Sequence, residues 1–338
     1  MKLGRIALAG LLALAGATLL AIALGTVYIP PLAIVKSVLR ASGLMAQSET
    51  DQTNQILVML IRLPRVFAAI FAGAGLAIAG TAMQGLFRNP LAEPGILGVS
   101  AGASLGALVS IAFGAFSFLT LPLFAFIGAL AAVVIILVLS TLSGGSGQTT
   151  ILILAGMAVS AFFSALTSLI LVLASEYQVS SYIFWTLGGL SNRRWEHVAL
   201  MAVPVLLAGV ILLFKGKDLD ILLLGDDEAR SLGVAPQTTR LLTVTMASVL
   251  TATIVSVTGP IGFVGLIVPH IMRLIVGPSH RRLLLASAFG GAIFLLLCDL
   301  VTRLVAMPRG IELSVGVVTA LVGAPYFMFL LIRSLRAH

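Results

Sequence analysis

The chain has 338 residues, 59% of them hydrophobic and only 9% charged, with a mean hydropathy of +1.16. A soluble domain carries roughly 25% charged residues, so most of this chain is excluded from water and an ordinary soluble enzyme or binding module is ruled out. The net charge of +8 comes from Lys and Arg scattered through short connections, without the basic run or aromatic platform that nucleic-acid binding needs.

A helix needs about 20 mostly apolar residues to cross a bilayer. The N-terminus reads Met1-Lys2-Leu3-Gly4-Arg5, then stays apolar to Val27. That run exceeds the roughly 7–15 residues of a signal-peptide core, so an uncleaved first span near 6–28 is expected. Further spans are expected near 65–87, 95–113, 119–141, 150–174, 195–214, 239–258, 261–276, 283–303 and 313–333. The result is an all-α, polytopic membrane protein of about ten helices, forming one domain over 1–338. Three connections are longer than the rest: 29–64, 175–194 and 215–238. The dyad alternation of a membrane β-barrel is absent. The one cysteine, Cys298, reads as a small buried hydrophobe.

Placing both termini in the cytoplasm puts twelve of the 20 Lys and Arg residues on that side. The outside then holds Lys36, Arg40, Arg62, Arg65, Arg193, Arg194, Arg303 and Arg309, which calls for a reason. The second span runs into Asn89-Pro90-Leu91-Ala92-Glu93-Pro94-Gly95, and the seventh into Gly259-Pro260-Ile261-Gly262. Each break precedes a short span, and the two lie on opposite sides of the membrane in this topology. Inverted repeats of a transporter produce that pattern, and such breaks point to its pathway.

Catalytic signatures are weak. Gly98-Val99-Ser100-Ala101-Gly102 matches a nucleophile elbow, but it lies in a membrane helix without a partnered His and acid. Gly98, Gly102 and Gly106 sit four apart and suit close helix packing. Gly144-Gly145-Ser146-Gly147-Gln148-Thr149-Thr150 lacks the lysine of a phosphate-binding loop, so the chain itself is not expected to hydrolyse ATP. The four histidines form no metal-ligand cluster, and no cofactor is expected. His270 and His280 are candidate transient iron ligands if haem passes, with a helix-end hydrogen-bonding role as the plainer reading. Asp299 and Arg303 lie four apart, acid first, a favourable pair on one helix face.

The 215–238 segment is the most charged in the chain, with the apolar patch Ile221-Leu222-Leu223-Leu224 and glycines at 225 and 233. A short helix ending at Gly233 fits the C-cap signal. Its place on the cytoplasmic face makes it a candidate for docking into a groove on a soluble partner.

Four ordered blocks now carry a resemblance. They are Arg62-Leu63-Pro64-Arg65 followed by 80–99; Leu224-Gly225 through Ala229 with Leu232-Gly233; Gly259 through His270; and Glu312-Leu313 through Gly316 with Gly323-Ala324-Pro325. Over about residues 55–336 the sequence resembles the iron-siderophore, haem and vitamin B12 permease family of ABC importers. The resemblance implies the type II, vitamin B12 permease-like fold and a homodimer in the bacterial inner membrane, surrounded by lipid. It also implies two cytoplasmic ATP-binding subunits, a periplasmic substrate-binding protein and no nucleic acid. By position, it assigns Arg62, Arg65 and Arg303 to docking the binding protein. It assigns Leu224, Gly225, Glu228, Ala229 and Gly233 to coupling with the ATPase. Asn89, Leu91, Thr149 and Thr150 fall where the family narrows its exit. The expected cargo is an iron chelate, haem or ferric siderophore, with cobalamin as the alternative. An ion-gradient-driven transporter is disfavoured by the lack of unpaired intramembrane carboxylates, and a membrane enzyme by the lack of a catalytic set.

Overall fold

The computed structural model describes residues 3–25, 27–41, 43–44, 52–115, 117–142, 148–306 and 313–336. All of its regular structure is helical. In chain order the helices are α1 (Leu3–Ala23), α2 (Pro31–Ala41), α3 (Gln52–Ile56), α4 (Leu63–Leu86), α5 (Val99–Ala112), α6 (Thr120–Leu142), α7 (Gln148–Leu173) and α8 (Glu176–Thr186). Then follow α9 (Trp195–Phe214), α10 (Gly216–Leu222), α11 (Asp226–Ser231), α12 (Pro236–Thr258), α13 (Val264–Val276), α14 (His280–Ala306) and α15 (Val315–Arg336). A π-helical turn, Leu57–Arg62, joins α3 to α4, so that 53–86 forms one long span.

Eight helices among the described residues are long and apolar enough to cross a membrane, and α5 and α13 are shorter apolar helices. These ten coincide with the ten expected spans. At about 1.5 Å per residue, the 14 residues of α5 and 13 of α13 reach only about 20 Å, less than the roughly 30 Å hydrocarbon core. α5 follows a 3-10 turn, Pro94–Leu97, and α13 follows the irregular stretch 259–263. Five further helices lie in the long connections, among them α3 beside α2 in 29–64 and α10 and α11 in 215–238. α2 occupies part of 29–64 and α8 part of 175–194, where the sequence suggested only loops. α8 opens on a capping box: Gln178 N–H donates to Ser175 Oγ (3.4 Å), and Ser175 N–H donates to Gln178 Oε1 (2.9 Å).

α4 is the central helix, packed by α14, α12, α13 and α9. Small residues let its backbone approach its neighbours. A Cβ on Gly73 would collide with the carbonyl of Gly291 in α14, and one on Gly80 with the carbonyl of Gly265 in α13. The α5 glycines act as expected: Gly102 packs on the Gly128 backbone of α6 and Gly106 on that of Phe124. Cys298 is buried. α1, α7 and α15 bury little of themselves and turn Leu12, Phe162, Leu321 and Phe329 outward, the surface that lipid or another chain must cover.

Candidate functional site

α9 separates two ends of the bundle by about 30 Å, its 20 residues at about 1.5 Å each. Its C-terminus leads into the charged 215–238 segment, which forms the short helices α10 and α11. Their inner sides make a small core of Leu219, Leu222, Ala229 and Val234. α11 closes as a Schellman motif: Val234 N–H donates to Ala229 O (2.9 Å) and Gly233 N–H to Arg230 O (3.0 Å). Gly233 has φ +81°, so the C-cap expected from the sequence is present. Gly225, at φ +131°, leaves no room for a Cβ beside the Glu228 carboxylate, which folds back over it.

Polar clamps hold this pair to the bundle. Asp220 Oδ1 accepts from His280 N–H (2.9 Å) and pairs with His280 Nδ1 (2.6 Å), and Asp220 Oδ2 accepts from Ser279 Oγ (3.2 Å). Burial raises the Asp220 pKa, but the hydrogen bonds from His280 and Ser279 outweigh it and hold the carboxyl below its usual range. Arg240 grips Asp226 through two hydrogen bonds (2.8 and 2.5 Å), chiefly why the Asp226 carboxyl also lies low. Arg88, after α4, donates to Leu222 O (2.5 Å).

The outer side of the segment is apolar and acidic: Leu223, Leu224 and Leu232 are exposed beside Asp227 and Glu228. Three leucines thus stand exposed on a clamped helical scaffold rather than on an irregular loop. Ala229 does not belong to this exposed face. Its side chain is fully buried in the small core, because it is the position the Schellman contact needs.

His280 is not placed to ligate a cargo. It is 3% exposed, with one ring nitrogen on Asp220 and the other against Gly85 of α4, so it wedges helix ends together. His270, on α13, lies edge-on to Tyr326 of α15, ring centroids 6.2 Å apart. Asn89 Oδ1 accepts from Leu91 N–H (2.9 Å) in an exposed turn after α4. Thr150 is exposed in the first turn of α7, while the Thr149 side chain and residues 143–147 lie outside the described residues.

The two Gly/Pro breaks meet. Phe263 N–H, at the start of α13, donates to Glu93 Oε1 (3.1 Å), and Pro94 lies beside Gly265. Phe263 itself has φ +69°, unusual for a bulky residue. A cavity of about 230 Å³ opens here between Leu76, Glu93, Ser100, Thr251 and Gly262. Glu93 thus supplies, from a distant segment, an acceptor at the N-terminus of α13, where the N-cap residue Phe263 offers no side-chain cap. Its carboxylate was legible only as one letter of the 80–99 block.

At the other end of α9, the three expected docking arginines turn inward. Arg62 is 6% exposed and donates to the carbonyls of Ile22, Ala23 and Val27. Arg303 is 8% exposed and donates to those of Ala21 (2.9 Å) and Leu24 (3.3 Å). Both satisfy the orphan carbonyls at the C-terminus of α1, where a cation is also favoured by the helix dipole. Arg65 is bidentate to the fully buried Asp299 (Nε 2.9 Å, Nη2 2.7 Å), and Arg303 Nε approaches the other oxygen of Asp299 at 3.1 Å. The expected Asp299–Arg303 pair is present, enlarged to a triad. The three arginines that the resemblance assigned to a binding protein thus all engage internal partners. Beside them lies a crevice of about 1030 Å³ bordered by Arg65, Arg193, Arg194 and His197.

Residues 11–333 match the family described as the FecCD transport family. The chain belongs to that family. Within it, the chain is 42% identical over 286 residues to the cobalamin import system permease protein BtuC of Halobacterium salinarum, covering 84% of this chain and 76% of that one. It is 39% identical over 324 residues to the Fe(3+) dicitrate transport system permease protein FecD of Escherichia coli, covering 95% and 96%. Among solved structures, a metal-chelate type ABC transporter in an inward-facing conformation is 33% identical, with a TM-score of 0.85, covering 98% of this chain and 99% of that one. A FecCD chain with this fold is a membrane transport permease of the ABC importer class.

Proposed function

We propose that this FecCD chain is the permease subunit of an ATP-driven importer that carries a metal chelate or corrinoid inward across the bacterial cytoplasmic membrane. It works as a homodimer, with two ATP-binding subunits on the 215–238 face and a substrate-binding protein on the opposite face. Both termini lie in the cytoplasm, and the chain does no covalent chemistry on its cargo. The observation that carries this reading is the clamped α10–α11 surface. It presents exposed Leu223, Leu224 and Leu232 with an acidic rim at the end of a membrane bundle, and it is tied through Asp220 to α14 and through Arg88 to α4. ATP-driven closure of the partner subunits would move this pair of helices. The clamps would pass the motion to the helices that meet at Glu93 and Phe263, and a nucleotide can bias the two states only by its differential affinity for them. The relatives named for cobalamin and for ferric dicitrate support a cargo of this kind.

Co-purification tests it. The chain with its ATP-binding subunit should form a stable complex that Glu228→Arg or Leu224→Asp weakens. Undiminished assembly of both variants would leave 215–238 a mere loop and remove the basis of the proposal.

A further inference from the structure

The crevice at the N-terminal end of α9 is absorbed by nothing above. Its volume, about 1030 Å³, is at the upper end of what small-molecule sites enclose. Phe118, Phe184 and Trp185 contribute apolar wall, and Arg65, Arg193 and Arg194 the charge. Arg65 is committed to Asp299. Arg193 and Arg194 form no ion pair among the described residues, although Glu196 sits exposed on the same turn. Arg193 has a buried Nε with no partner, and its one hydrogen bond, from Nη2 to Gly189 O, is a long 3.4 Å. Burial, and next the neighbouring Arg65, push its guanidinium down to about 10. The first turn of α9 adds its orphan N–H groups at the same rim. His197 fixes that turn by accepting from Arg194 N–H (3.1 Å) while its ring meets Phe118 edge-on.

A half-buried arginine whose Nε is buried without a partner is costly unless an anion completes it. Two arginines and a helix N-terminus converging beside an aromatic wall match a planar carboxylate carried on an organic frame. We propose that this crevice binds a carboxylate of the cargo, which makes the cargo an anionic, carboxylate-bearing chelate rather than a neutral corrinoid. The inference rests on the importer reading and narrows its cargo. Charge on the crevice floor selects the anion, and the aromatic wall accepts the organic body.

The test uses the full-length permease in nanodiscs without any binding protein, titrated with citrate, ferric citrate, haemin and cobalamin. At least one carboxylate probe should bind saturably. The Arg193→Gln/Arg194→Gln variant should weaken that binding roughly tenfold or more, the loss expected for charge-assisted contacts. Arg193→Lys, keeping the charge, should stay within a few-fold. Cobalamin binding should be indifferent to all three substitutions. Failure of every carboxylate probe to bind overturns the proposal, as does binding insensitive to the double variant. In a second titration with the binding protein added, a double variant that weakens docking but leaves chelate affinity unchanged makes the crevice a docking surface and overturns it too. Assembly with the ATP-binding subunit, measured on the same preparation, stays normal if only this inference fails and is lost if the importer reading fails.

Discussion

Asp299→Ala should be among the most damaging single substitutions outside the helix contacts. Asp299 is fully buried, accepts from Arg65 at 2.9, 3.1 and 2.7 Å, and faces Arg303 Nε at 3.1 Å. Removing the carboxylate leaves two guanidinium groups roughly 6 Å apart, repelling by about 3 kcal/mol at an effective dielectric constant near 20. That agrees with the ~3–5 kcal/mol cost of breaking a buried ion pair from one side. Arg303 also holds the C-terminus of α1, so the loss should spread to the packing of α1 on α14. The assay is thermal unfolding of the purified protein in detergent, with the monodisperse fraction as a second readout. Asp299→Ala should lower the midpoint markedly and Arg194→Ala, on an exposed residue, should not. Adding Arg303→Met to Asp299→Ala should recover part of the loss, because the repulsion between the two guanidinium groups goes. A midpoint for Asp299→Ala indistinguishable from the parent would refute the triad as a buried, mutually dependent unit.

Gly80→Val should destabilise the bundle by about 3 kcal/mol or more, since a side chain would meet the Gly265 carbonyl and the backbones must part. The same unfolding assay reads it. The α11 clamp should depend on acid: the Asp226 carboxyl is held below its ordinary value of about 3.9 by Arg240, so its contribution is full above that value and lost as pH falls through the lower folded value. An environment-sensitive dye on Glu228→Cys should report loosening in that acidic window. Arg240→Gln should show the loosened signal already at neutral pH. Leu232→Asp should weaken capture of the ATP-binding subunit while leaving thermal unfolding within about 0.5 kcal/mol, as an exposed position.

The spans were legible because a run of about 20 apolar residues has few other fates. A short helix in 215–238 was legible because Gly225 and Gly233 bracket a charged stretch with one apolar patch. α8 was hidden by its mixed composition, although Ser175 and Gln178 had the capping-box spacing. Long-range partners were beyond reach. Nothing local marks Arg62 for the carbonyl of Ile22, 40 residues away, or Arg65 for Asp299, 234 residues away. The positive-inside bias leaves eight basic residues in need of a reason. Three of them have internal partners: Arg62 and Arg303 hold the end of α1, and Arg65 holds Asp299. The Gly/Pro breaks were read as pathway markers on opposite sides; Glu93 and Phe263 bring them together, 170 residues apart in sequence.

Uptake into proteoliposomes tests the central claim most directly. The chain is reconstituted with its ATP-binding subunit and binding protein, with ferric citrate, haemin or cobalamin outside and ATP within. Accumulation should require ATP and the ATP-binding subunit, and should survive collapse of proton and sodium gradients. Uptake by the chain alone, driven by an ion gradient and indifferent to ATP, would contradict the account.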